Sequence, residues 1–183
     1  MKRPLNNPPR DRRIEPAEET ALLNRLGYVE AEVPVTLHQE LAMAFLIALE
    51  TAMRQGEILG ITAKAVNLKQ RFVHLPLTKN GSSRNVPLSK RAVGLIGILL
   101  GEKKGAEKLF RLTSASADAM FRKVRDDVAI VGLTFHDTRH EAITRLARKV
   151  DVLDLARITG HKDPRSLMVY YNATASEMAL RLD

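Results

Sequence analysis

Residues 37–53, LHQELAMAFLIALETAM, are apolar on almost every side of a helical wheel. Such a helix cannot lie on a protein surface; other parts of the chain, or lipid, must enclose it. Its unbroken apolar run, Leu41 to Leu49, is far shorter than the ~20 residues needed to span a bilayer. The helix is therefore expected at the centre of a core, and 183 residues at 45% hydrophobic content suffice for one such core and one domain. With aromatics at only 4%, that core must be built from Leu, Ile, Val, Ala and Met, which favours further helices. The absence of cysteine excludes disulfides and thiolate metal clusters. No signal-peptide core precedes the helix, so a cytoplasmic protein without membrane association is the expectation.

The remaining elements can be placed around this centre. Pro16 suits the first turn of a helix running through AEETALLNRLG to Gly27, and Thr36 can cap the central helix. The short segment RQGEILGI follows. AVNL, RFVHLPL and SRNVPL alternate in polarity, with KNGS between the last two, and predict a small three-stranded antiparallel sheet ending in a hairpin. Ser89 can cap a helix over KRAVGLIGILLGEK. In SASADAMFRKVRDDVAI, Ala117, Met120, Phe121, Val124 and Val128 form one stripe and leave Arg122, Lys123 and Arg125 off it. FHDTRHEAITRLARK, then VLDLARIT closed by Gly160, then PRSLMVYY and TASEMALRLD complete a helical second half. The expected class is mainly α with one small three-stranded antiparallel sheet (α+β). Residues 1–15, with five basic residues and no hydrophobic period, read as an extended basic linker ahead of a domain at 16–183.

A formal charge of +8 points to a polyanionic partner, most often nucleic acid. Several side chains could do chemistry on such a partner. His136 and Arg139 are three apart on one helix face, where a histidine can move a proton while an arginine grips an anionic oxygen. His136, His140 and His161 could instead hold zinc, although Asp137 stands where a metalloprotease helix needs Glu, and Arg139 would repel a cation. Arg54 follows the rigid apolar helix and can be held by Glu57; the bland alternative is a surface ion pair. Lys79, at the hairpin tip, is either a mobile proton donor or a solvated turn residue. Tyr170 and Tyr171, two of only three tyrosines, are either a buried pair or a nucleophile and its neighbour.

Arg54, Lys79, His136-x-x-Arg139, Gly160-His161 and a following tyrosine, in that order, resemble the tyrosine recombinase (phage integrase) family. TFHDTRHEAIT and LARITGHKDPRSLMVYYNAT are similar to its two strongest motifs. The resemblance covers the chain from about Pro16 onward and implies the fold of that family's catalytic domain. It also implies a catalytic set of Arg54, Lys79, His136, Arg139, His161 and Tyr170, the tyrosine nine residues after His161, supported by Glu57. Arg84, Arg122, Lys123 and Arg125 would contact DNA, and the basic residues Lys2, Arg3, Arg10, Arg12 and Arg13 would follow its backbone. The implied partners are double-stranded DNA and other protomers, a tetramer held through residues 175–182, with no cofactor and no metal. Family members usually carry an upstream DNA-clamping domain, for which this sequence leaves no room. Ala52 stands where the first motif often has Gly. A type IB topoisomerase-like relaxase and an inactive DNA-binding remnant are the competing expectations.

Overall fold

The computed structural model describes residues 12–76, 83–171 and 179. Helix α1, Pro16–Arg25, begins at the expected proline, with the Glu15 N–H donating to the Glu18 carboxylate at 3.0 Å. Helix α2, Leu37–Thr51, is capped by Thr36, whose hydroxyl oxygen accepts from the Gln39 N–H while the Gln39 amide oxygen accepts from the Thr36 N–H. Every residue from Leu41 to Leu49 is buried, as a helix apolar all round requires. It stops at Ala52, whose φ of 54° is left-handed, a conformation that costs a non-glycine residue about 1 kcal/mol. The chain then turns at Arg54 into a one-turn helix, α3, Gln55–Leu59.

Strands β1, Val66–Asn67, β2, Phe72–Leu75, and β3, Arg84–Pro87, form an antiparallel sheet in the order β1-β2-β3, with Val73 opposite Val86. Lys79 and the KNGS turn fall outside the described residues. Ser89 caps α4, Lys90–Leu100, by accepting from the Ala92 N–H at 3.1 Å. Helices α5, Ser114–Asp127, α6, Asp137–Ala147, and α7, Val152–Thr159, follow, and α7 is closed by Gly160 at φ 74°. PRSLMVYY forms a 3-10 helix, Pro164–Tyr170. Apart from Ala179, the expected last helix lies outside the described residues. None of the helices among the described residues is long and apolar enough to cross a membrane.

Helix α2 packs against α3, α4, α5 and α6, so the expected central helix is the one around which the domain is built. Phe45, Phe121 and Phe135 meet there with ring centroids 5.6 to 6.5 Å apart, offsetting the poverty of aromatics by gathering them in one place. A second, smaller cluster forms where α6, α7 and the 3-10 helix converge. It contains Ala52, Ala142, Ile143, Leu155 and Leu167, and both Tyr170 and Tyr171 pack on it.

The end of the stretch expected as a linker is docked, which corrects that expectation for residues 12–15. Ile14 is 4% exposed in the core, Arg12 pairs with Glu18, and Arg13 Nε lies 2.6 Å from the Glu141 carboxylate. Arg12 and Arg13 are thus engaged within the domain. Glu141 also accepts from Arg145 and from the Ile14 N–H. Burial opposes its charge, but the hydrogen bonds from Arg13, Arg145 and Ile14 outweigh this and bring its pKa from 4.5 to about 2. A carboxylate lowered in this way stabilises the fold fully above its ordinary pKa and loses that contribution as pH falls from 4.5 toward 2. The effect is on the order of 3 kcal/mol. Urea unfolding at pH 7 and at pH 3 should show this loss, and Glu141→Gln should remove most of the acid dependence. An unchanged dependence in the variant would rule this origin out.

Candidate active site

The site forms where two helices end. The last turns of α2 and α7 point their carbonyl oxygens at one buried guanidinium. Arg139, on α6 and 6% exposed, donates through Nη1 to the Ala52 carbonyl and through Nη2 to the Thr159 carbonyl, the latter at 2.8 Å. Helix C-termini carry partial negative charge, which suits a cation held there. Burial, and then the neighbouring charge of Arg54, lower the Arg139 pKa to about 10, so it stays protonated at neutral pH.

Glu57 organises the opposite wall. Its carboxylate, 9% exposed, accepts from the Arg54 N–H at 2.8 Å, from Arg54 Nη1 at 3.2 Å and from Arg84 Nη2 at 2.8 Å. Desolvation works against its charge, yet the bonds from Arg84 and Arg54 keep its pKa below the ordinary carboxylate value. The Arg54 side chain is 51% exposed and is the reachable cation of this wall. Arg84 is the opposite case. The resemblance implies that it contacts DNA; in the structure its side chain is 9% exposed and its Nε donates to the Ile158 carbonyl at 3.0 Å. Arg84 therefore belongs to the interior network, and a signal for this was present in SRNVPL. Alternation puts Arg84 on the inward face shared with the buried Val86. Its guanidinium also explains Gly160, where a Cβ would come within 3.1 Å of Arg84 Nη1.

His161 follows Gly160, with its Nδ1 2.6 Å from the Thr159 hydroxyl. Burial, followed by the charges of Arg139, Arg54 and Arg84, holds its pKa below the ordinary histidine value. A cleft of about 310 Å³ opens beside it, lined in part by Ala156, Arg157, Gly160 and Lys162. His136 is exposed at the start of α6, one turn ahead of Arg139.

The two tyrosines part ways. Tyr170 is half-buried, its ring centroid 5.1 Å from that of His140, and it lies within electrostatic reach of Arg139. The Tyr171 hydroxyl donates to the Val150 carbonyl at 2.8 Å, and burial, Asp151 and Asp154 raise its pKa. The structure thus gathers Arg54, Glu57, Arg84, Arg139, His161 and Tyr170. Lys79 is outside the described residues. Arg122 and Lys123 are exposed on α5, whereas Arg125 is half-buried and donates to the Leu133 carbonyl at 2.9 Å. Among the described residues, no cluster of three or more His, Asp or Glu side chains could hold a metal, so the zinc reading of His136, His140 and His161 has no geometric basis. Thr159 had no expected place in the site, and His140 had one only in the zinc reading. Both are contacts made across the fold.

Fold and site together define a tyrosine recombinase catalytic domain. The sequence pattern of the phage integrase family matches residues 12–177, and the chain belongs to that family. It is 41% identical over 98% of its length to a Haemophilus influenzae chain whose name gives it only as a candidate integrase/recombinase, and it spans 59% of that chain. It is 35% identical over its full length to the shufflon-specific DNA recombinase of Escherichia coli, spanning 46% of it. The chain thus covers about half the length of such relatives. The Tn1549 transposon integrase, solved in complex with a circular intermediate DNA, shares the fold at a TM-score of 0.72 and 20% identity, over 93% of this chain and 65% of that one.

Proposed function

We propose that this chain breaks and rejoins DNA as the catalytic part of a site-specific recombinase, with Tyr170 as nucleophile. The observation that carries this reading is the convergence of Arg54, Arg84, Arg139 and His161 beside one half-buried phenol, while the adjacent phenol is bonded elsewhere. A site with three guanidiniums and one carboxylate favours an anion with negative charge spread over several oxygens.

In this mechanism the Tyr170 oxygen attacks a backbone phosphorus, the bond from phosphorus to the 5′ oxygen breaks, and a 3′-phosphotyrosine forms. A phenol with an ordinary pKa near 10 needs a proton acceptor at neutral pH, and His136 serves as that acid/base partner. Arg54 and Arg139 hold the non-bridging oxygens as charge develops, and Lys79 gives a proton to the departing 5′ oxygen. His161 hydrogen-bonds the phosphate, and Glu57 orients the arginines. One phosphoester replaces another, so a 5′ hydroxyl from a second duplex can attack the phosphotyrosine and complete strand exchange without ATP. Arg122 and Lys123 contact the duplex flank, where each phosphate contact would make binding more sensitive to salt.

The test is a nicked duplex whose cleaved strand diffuses away, trapping the covalent complex for mass spectrometric mapping of the modified residue. A phosphonucleotide adduct on Tyr170 is expected. Supercoil relaxation without two-site recombination would assign the chain to topoisomerase-like chemistry, and the absence of any adduct would reduce it to a DNA-binding module.

Residues 175–182 dock on a neighbouring protomer in the tetrameric assembly, a role suggested by their apolar stripe at i, i+3, i+4 and i+7. Truncation after Asn172 should lower synapsis, measured by gel shift on two-site DNA, at least several-fold more than cleavage. Equal losses would assign the segment to its own domain. The site of action is the cytoplasm, where the DNA is.

A further inference from the structure

Thr159 ends α7 and is fully enclosed, and two of its polar atoms serve the site at once. Its carbonyl accepts from Arg139 Nη2 at 2.8 Å. Its hydroxyl oxygen lies 2.7 Å from the Leu155 carbonyl oxygen and 2.6 Å from His161 Nδ1. The hydroxyl has one proton to share between these neighbours. The Leu155 oxygen can only accept, and two oxygens this close would repel without a proton between them. The Thr159 hydroxyl therefore donates to Leu155, the common back-bond of a helical threonine. Its lone pair then has to be met by a proton on Nδ1.

We propose that Thr159 is a positioning residue that holds His161 in the Nδ1–H tautomer, so that the neutral ring offers Nε2 as an acceptor and can donate to a DNA phosphate only after taking up a second proton. The proposal rests on the reading of the Arg54, Arg139 and His161 cluster as a phosphate site and deepens it. A histidine assumed to be a standing hydrogen-bond donor becomes one that is charged by its ligand. The groups facing His161 explain why. Arg139 from α6, Arg54 at the start of α3 and Arg84 from β3 are cations, with Glu57 the acid bonded among them. Together with burial they keep the ring neutral while no anion is present. A phosphodiester brings a negative charge that offsets them, and the ring then takes its second proton from water. Phosphate binding beside His161 thus consumes a proton, and Thr159 makes the uptake necessary.

The experiment uses the full chain with ¹⁵N-labelled histidine and reads the His161 tautomer from long-range proton–nitrogen correlations. Wild type is expected as Nδ1–H. Thr159→Ser, which keeps the hydroxyl, should match it. Thr159→Val, which keeps the carbonyl that holds Arg139 but loses the hydroxyl, should move toward Nε2–H. Adding a short DNA duplex should raise the His161 titration midpoint in wild type. On the nicked duplex, single-turnover cleavage by Thr159→Val should fall less steeply than wild type as pH rises across the histidine range, because its neutral Nε2–H can already donate. A wild-type Nε2–H ring, a tautomer unchanged in Thr159→Val, or identical pH slopes would each overturn the proposal. If the tautomers behave as expected and wild type forms no covalent complex at any pH, the recombinase reading fails and the role of Thr159 in setting the ring stands.

Discussion

Replacing Tyr170 by phenylalanine is expected to abolish covalent attachment to DNA, whereas Tyr171→Phe should keep it within a few-fold of wild type. The two residues are chain neighbours of the same chemical type, so their environments alone separate them. The Tyr171 hydroxyl is occupied by the Val150 carbonyl at 2.8 Å, and Asp151 and Asp154 add to burial in disfavouring its phenolate. Ionising it would cost a hydrogen bond and place negative charge beside two acids. Tyr170 lies instead within electrostatic reach of Arg139, so a phenolate there gains the field that Tyr171 lacks. Removing a nucleophile from a preorganised site costs about four to six orders of magnitude in rate. Tyr171→Phe gives up one hydrogen bond, about 1 kcal/mol, and should lower Tm by roughly 2–4 °C in a domain of this size. Cleavage on the nicked duplex and a thermal melt read both numbers. Adducts that persist in Tyr170→Phe and vanish in Tyr171→Phe would transfer the nucleophile to Tyr171.

The second large effect is expected at Arg139, where even lysine should fail. The guanidinium serves two carbonyls that belong to different helices, and it does so at 6% exposure. A lysine ammonium is a point donor on a flexible stem and cannot span both. One carbonyl, of Ala52 or of Thr159, would be left desolvated without a donor, at a cost of about 1–3 kcal/mol. Charge is lost as well. The surroundings that lower Arg139 to about 10 would act on a lysine from a lower starting pKa and move it toward neutral pH, where it sheds its proton. Loss of a preorganised charged donor from a phosphoryl-transfer site costs about 10²–10³ in rate, and Arg139→Lys is expected in that range together with a lower Tm. Wild-type cleavage and melting in this variant would show that the helix ends do not depend on the guanidinium fork.

Much of this architecture was legible in the chain because its signals are short-range. A helix apolar all round has to be central; Thr36 and Ser89 stand at the caps they were expected to form, and Gly160 closes α7. Within RQGEILGI, Gln55–Leu59 is helical because Arg54 and Glu57 close its first turn on each other. Residues 12–15 looked like free basic linker because their partners, Glu18 and above all Glu141 on α6, follow from no local pattern. The enclosure of Arg84 likewise depends on partners distant in the chain. Strand alternation turns its side chain inward, and Glu57 and the Ile158 carbonyl, 27 and 74 residues away, meet its charge there.

By itself, the sequence determined the residue types available for chemistry, their order, the class of the fold and the helix that had to be buried, all consequences of periodicity, capping and composition along a single strand of covalent bonds. Which phenol faces the cations, and which arginine is exposed and which is enclosed, were decided only by the packing of α2, α6, α7 and β3. Those outcomes depend on where helix ends aim their carbonyl oxygens relative to one another. That aim is a property of elements 20 to 87 residues apart in the chain, as with the two carbonyls that hold Arg139, and only the closed core brings them within a hydrogen bond's length.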